Sequence, residues 1–203
     1  MPDDFQTQRN RYAGYMEEIH DRLFFVDKLV RNNPLNQLTL LHVEVITLNI
    51  RKILEAIAFS ALYLNYERCI SKIINIDKMW NAKKILKKIE KMNPDFFPTP
   101  VWIEETSNGK IFHKLTDGFL GRSEFDDLYD RCSNYIHSSD NPYREHDSNS
   151  RDVSWATDSL GKIRTLIQFH MISFPAEKEK IICDCSNRYD IKFLRAYACE
   201  VIK

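Results

Sequence analysis

Glycine and proline are scarce, five and seven in 203 residues, so the chain lacks the turn density of an all-β sandwich and leans towards helix. Charge of one sign is also missing. Lys plus Arg and Asp plus Glu both total 29, and no global positive field advertises DNA or an anionic membrane. A run of about 18 uncharged apolar residues, the minimum for a membrane-crossing helix, does not occur. The Met1-Pro2-Asp3-Asp4 start is acidic where a secretion signal would be basic, so the reading is cytoplasmic, with no membrane partner. Cysteine is present five times, at 69, 132, 183, 185 and 199, without a CxxC, which argues against a disulfide framework and a zinc ribbon. The chain also lacks GxGxxG, GxxxxGK[ST], HExxH and GxSxG, and with them the nucleotide, zincin and hydrolase readings those motifs support.

What is present is a globular composition, 43% hydrophobic and 29% charged, enough to bury a core. Residues 9–31 place Tyr12, Tyr15, Ile19, Leu23, Val26 and Val30 three or four apart, the period of an amphipathic helix. The segment from Gln37 to about Tyr66 is the most apolar and predicts a helix at the centre of a bundle. Asp77 is the expected N-cap of a third helix, 78–93, with Met79, Trp80, Ile85, Ile89 and Met92 facing inward.

Residues 101–115 turn β-prone around Asn108-Gly109, a pair suited to a type I′ hairpin turn. Ser123 with Asp126 suggests a helix start, and that helix runs to about Ser138. A polar loop spans 138–151, a further amphipathic helix 152–170, and a terminal hairpin about 179–198. The expected architecture is mainly α: one domain over 1–203, a bundle of four to five helices with two small β-hairpins.

Within the apolar helix, Glu44, Arg51 and Glu55 sit at i, i+7 and i+11, within about 40° around the axis. This polar stripe either supports a site or serves as an internal Arg51–Glu55 pair facing water or another subunit. The later helix carries Arg131-Cys-Ser-Asn-Tyr-Ile-His137. Arg131 and His137 are about 600° apart on an ideal helix and share a face only if it unwinds before His137. A guanidinium grips a phosphate at two points, and an imidazole near its pKa exchanges a proton with a ribose hydroxyl. The pair suits RNA cleavage without a metal; the alternative is a helix-end His137 capping carbonyls and Arg131 in a surface pair.

The R-x5-H run from Arg131 to His137 resembles the Rx4-6H motif of the HEPN superfamily, helical-bundle proteins of bacterial toxin, antiviral defence and RNA-processing systems. The resemblance covers roughly residues 9–170 by helix pattern. It implies a homodimer in which Arg131 and His137 of two protomers cleave single-stranded RNA to a 2′,3′-cyclic phosphate and a 5′-hydroxyl. Arg131 would then be the phosphate ligand, His137 the acid or base and Asn134 an orienting group, with no cofactor, no metal and a cognate antitoxin or regulatory partner. The competing reading is a non-catalytic helical module that binds a protein or nucleotide.

Other residues point less clearly to chemistry. Cys183 and Cys185 share one strand face but lack further ligands nearby and read as buried thiols. His137, Asp140, His146 and Asp147 match no metal-binding spacing and read as solvated loop. Lys83, Lys84, Lys87, Lys88 and Lys91 form either an exposed helix face or a phosphate-binding patch.

Overall fold

The computed structural model describes residues 4–33, 38–65, 80–107, 109–136, 150–175, 178–187 and 189–197. Two long helices, α1 (Asp4–Asn32) and α2 (Leu40–Leu64), form its backbone layer. α1 buries Tyr12, Ile19, Leu23 and Val26 of the expected stripe together with Met16, while Tyr15 and Val30 are half-buried. α2 buries Ile46, Ile50, Ile53, Leu54, Ile57, Ala58, Ala61 and Leu64, and each fully buried Ile or Leu contributes roughly 1.5–3 kcal/mol by leaving water. The helices run antiparallel: Arg11 lies over the Tyr63 ring, at 4.7 Å, and Arg22 donates to Asn49 Oδ1 at 3.2 Å. Thr39 caps α2 with His42 in reciprocal fashion, its N–H donating to His42 Nδ1 at 3.0 Å and its Oγ1 accepting from the His42 N–H.

The next helix, α3 (Ala82–Glu90), is shorter than the sequence suggested. Its N-cap is Asn81, whose Oδ1 accepts from the Lys84 N–H at 3.1 Å, and Asp77 lies outside the described residues. Trp80 therefore precedes the helix and stands 70% exposed instead of facing inward. Ile85 and Ile89 are buried as expected. After α3, buried Asn93 donates to Asn65 Oδ1 and to the Ser173 carbonyl, tying the ends of two helices to a strand.

Helix α4 (Arg122–Ile136) begins one residue before the expected Ser123 cap. Glu124, not Asp126, closes the first turn, accepting from the Gly121 N–H at 3.1 Å. Its carboxyl is held below its ordinary pKa by Lys162 first and that backbone donor second. Helix α5 (Ser150–Gln168) buries Leu160, Ile163, Leu166 and Ile167.

The two expected hairpins are parts of one five-stranded antiparallel sheet, ordered β2-β1-β3-β4-β5. β1 (Thr99–Thr106) and β2 (Gly109–Lys114) make the first pair, β4 (Glu179–Asp184) and β5 (Lys192–Tyr197) the last. β3 (Phe169–Phe174) joins them. It takes Phe169 and His170, which the helical periodicity had assigned to α5. Thr106 pairs with Gly109 at φ +133°, so Gly109 opens β2 instead of occupying a turn centre; Asn108 is outside the described residues. β1 meets β3 through only two residue pairs, Thr99 with Met171 and Pro100 with His170. The chain is mainly helical, and among the described residues no helix is long and apolar enough to cross a membrane.

Candidate functional site

Packing of α2 against α4 turns the expected polar stripe into a network. Arg51 donates through Nε to Glu55 Oε1 at 3.2 Å, through Nη1 to Ser133 Oγ at 2.8 Å and through Nη2 to the Tyr129 hydroxyl at 3.3 Å. Its guanidinium carbon also sits 4.8 Å from the Tyr129 ring centroid, and Lys52 Nζ reaches Glu55 Oε2 at 2.8 Å. Both charges are mostly buried, at 15% and 16% side-chain exposure for Arg51 and Glu55. Such a pair persists because every partner is hydrogen-bonded. Burial raises the Tyr129 pKa and the Arg51 charge opposes that rise. Glu44, the third member of the stripe, is exposed and joins neither Arg51 nor Glu55.

Arg131 emerges about 200° around α4 from Tyr129 and Ser133, towards α5. Its guanidinium carbon lies 4.3 Å over the Trp155 ring. The side chain is exposed, and among the described residues no carboxylate pairs with it. Trp155 is nearly buried, lies beside Tyr135 with tilted rings 5.8 Å apart, and its Nε1–H has no hydrogen-bond partner among the described residues. Asn134 is exposed one turn along α4. His137, like Asp140, His146 and Asp147, lies outside the described residues. The described part of the motif is thus Arg131 with Asn134 on the last turns of α4, against an aromatic floor.

Cys132, between the two arginine faces, is fully buried, and burial pushes its thiol up to about 12 against the pull of Arg51 and Arg131. A neutral thiol here packs as a small hydrophobe. The lysine run on α3 is partly absorbed by the acidic side of α4: Lys83 pairs with Asp130 at 2.5 Å and Lys87 with Asp126 at 3.5 Å. Arg122 ties the same surface to Glu90 and Asp126.

A second polar group lies where α1 meets the sheet. The Tyr12 hydroxyl donates to His170 Nε2 at 2.5 Å, and His170 Nδ1–H donates to the Ile167 carbonyl at 2.9 Å. Both residues are fully buried. Burial lowers the His170 pKa to about 4 and raises that of Tyr12 well above its ordinary value, with Cys183 and Cys185 adding to the latter rise. Cys183 and Cys185 are buried free thiols, both raised by burial. A dry, neutral tyrosine–histidine pair of this kind holds α1 on the sheet. Among the described residues no group of three or more His, Cys, Asp or Glu side chains gathers as a metal site.

Sequence reasoning missed Tyr129, Ser133 and Trp155. Tyr129 and Ser133 are spaced i, i+4 on α4, a spacing that puts two hydroxyls on one face, and this was the available signal. Trp155 left none. The elements therefore define a mainly helical protein with an appended antiparallel sheet and an arginine-on-tryptophan surface at the α4–α5 contact. Comparison with protein-family models, curated proteins and solved structures finds no match for the chain.

Proposed function

We propose that the α4–α5 surface binds single-stranded RNA and that the chain is a HEPN-like, metal-independent endoribonuclease built on a four- to five-helix bundle. The observation that carries this reading is Arg131, exposed and without a carboxylate partner among the described residues, held over Trp155. A guanidinium so placed offers its N–H groups to a phosphate. In the reaction, the ribose 2′-oxygen attacks the adjacent phosphorus as its proton is removed. The P–O5′ bond breaks, the 5′-oxygen takes up a proton, and a 2′,3′-cyclic phosphate remains. Arg131 offsets the charge on the phosphoryl oxygens, and His137, by the motif, moves the proton. Asn134 orients one of them. The buried Arg51–Glu55 bracket supports α4 from behind.

One Arg and one His make half of such a site, so the functional unit is a homodimer through α4, in the cytoplasm, under control of an antitoxin-like partner. The test is cleavage of varied single-stranded RNA by the full chain. Arg131→Ala and His137→Ala should each lower the rate by about 10²–10⁴-fold, EDTA should leave it unchanged, and the wild type should sediment as a dimer. RNA left uncut at high protein concentration, or activity that survives both substitutions, rejects the reading.

A second reading, a non-catalytic module binding a protein or nucleotide, is favoured by Arg51. All its described contacts are internal, to Glu55, Ser133 and Tyr129, so the stripe acts as a bracket. RNA binding without cleavage would select it.

A further inference from the structure

Two shallow concavities lie end to end along the seam between α1 and α2. The larger, about 430 Å³, is bounded by Glu17, Asp21, Arg22 and Phe25 of α1 and by Asn49 of α2. The smaller, about 340 Å³, lies between Arg11, Tyr15 and Tyr63. Gly14 and Glu18 line both, so the two form one groove. From Arg11 to Phe25 it follows α1 for about 21 Å, and every lining residue is among those described. It is aromatic at each end: Phe25 is 50% exposed, and Tyr15 and Tyr63 are half-buried with rings 5.7 Å apart. The neighbouring solvent stripe of α2 adds the exposed Leu41 and Leu48.

Charge and backbone together specify what fills this groove. In the larger concavity Glu17, Glu18 and Asp21 stand against one cation, Arg22, an excess of two negative charges. Arg11, 4.7 Å over the Tyr63 ring, reduces the excess to one across the whole groove. Arg22 is turned onto Glu18, donating from Nε to Oε1 at 2.9 Å, and Glu17 and Asp21 are exposed beside that pair. Gly14, where the concavities join, is an independent observation. Glycine is second only to proline as a poor residue for a helix interior, yet a Cβ built on Gly14 meets no atom within 4 Å. Packing within the chain therefore does not require it. Its missing side chain leaves bare backbone in the middle of the groove, where a second backbone can approach closely.

An aromatic seam with an acidic flank and a glycine notch fits a helix of the opposite charge. We propose that the α1–α2 groove docks a basic amphipathic helix of a partner protein, with the apolar stripe of that helix on Tyr15, Tyr63 and Phe25, its Lys or Arg side chains beside Glu17 and Asp21, and its backbone closest at Gly14. A second copy of this chain brought up across a two-fold axis sets the same acidic flank against itself, and an anionic membrane is repelled likewise. The groove stands apart from the Arg131 surface. Arg51, about 200° around α2 from Asn49, faces α4, so the two surfaces lie on opposite flanks of α2 and this proposal does not rest on RNA cleavage.

The test selects a display library of helical peptides, each about 30 Å long and random at its surface positions, on the full chain. The most enriched peptide is then synthesised and titrated by fluorescence anisotropy. Enriched helices should carry an apolar stripe at i, i+3, i+4 and i+7 flanked by Lys or Arg. Phe25→Ala, and Glu17→Lys with Asp21→Lys, should each weaken binding by about tenfold or more. Gly14→Gln should weaken it at least as much while raising the thermal unfolding midpoint, because it fills the notch and improves the helix, so that loss of binding is not loss of fold. Arg131→Ala should bind the peptide as the wild type does, which separates this proposal from the ribonuclease reading. The proposal is overturned if no helix binds saturably, if the enriched helices are neutral or acidic, or if the Gly14 and Phe25 variants bind as the wild type does. A wild-type dimer that Phe25→Ala converts to monomer also overturns it, since the groove is then filled by a second copy.

Discussion

Between α2 and α4, Arg51 and Glu55 keep two formal charges at 15% and 16% side-chain exposure, whereas at the contact of α1 with the sheet Tyr12 and His170 are fully buried and neutral. Both clusters are hydrogen-bonded, but they meet different solvents. Partial exposure and hydrogen bonds to Ser133, Tyr129 and Lys52 make charge tolerable in the first; complete desolvation in the second pushes the His170 pKa to about 4 and leaves the ring to accept from a phenol. A protein can therefore hold polar links at two helix contacts and have only one of them respond to salt, and only the other to mild acid.

The largest effect should come from the dry cluster. Tyr12→Ala removes a fully buried ring and its hydroxyl and is expected to cost about 3–5 kcal/mol in urea unfolding. Tyr12→Phe, which keeps the ring but orphans His170 Nε2, should cost about 1–3 kcal/mol. A Tyr12→Phe protein as stable as wild type would remove the hydrogen bond from the argument.

Acid should expose the next difference. The unfolded His170 takes a proton near pH 6.5, the folded one only near 4. Between those values the unfolded chain binds more protons, so stability present above pH 6.5 is lost as pH falls towards 4, by on the order of 3 kcal/mol. Subtracting the stability–pH curve of His170→Gln from that of wild type isolates this slope from the carboxylates; a flat difference curve would contradict a neutral buried ring.

In the half-wet cluster, Arg51→Met should cost about 1–2 kcal/mol, since Glu55 keeps Lys52 and Tyr129 as partners. That cost should shrink with added salt, while the cost of Tyr12→Phe should not. Equal salt responses would erase the distinction. Arg131→Ala, at an exposed position, should change stability by less than about 0.5 kcal/mol, so any loss of RNA cleavage it causes is read as chemistry.

Local pattern made the helices legible and left the contacts between them unreadable. The stripe Tyr12, Met16, Ile19, Leu23 repeats within one element, and so does the Arg51–Glu55 spacing. Tyr129 and Ser133 reach Arg51 from 78 and 82 positions away, and Tyr12 reaches His170 from 158, separations at which no periodicity operates. β3 was hidden for another reason. No Gly, Pro or Asn occurs from Ile163 to Phe174, and Ile163, Ile167 and His170 keep a helical interval into the strand. Only pairing with β4, six residues in register from Phe169–Asp184 to Phe174–Glu179, selects the extended form. The Arg131 motif could be read as residues; its tryptophan floor could not, because Trp155 belongs to a different helix.

The two-pair seam between β1 and β3 leaves the outer part of the β1–β2 hairpin, from Val101 on, paired only within itself. A small apolar cluster, Val101 and Phe112 of the hairpin with Phe169 and Met171 of β3 and Ile182 of β4, fastens its base and is distinct from the core under α1 and α2. Beyond that base the hairpin can lengthen or shorten at little expense to the rest of the molecule. For the same reason its tip is the natural place to graft a tag or reporter.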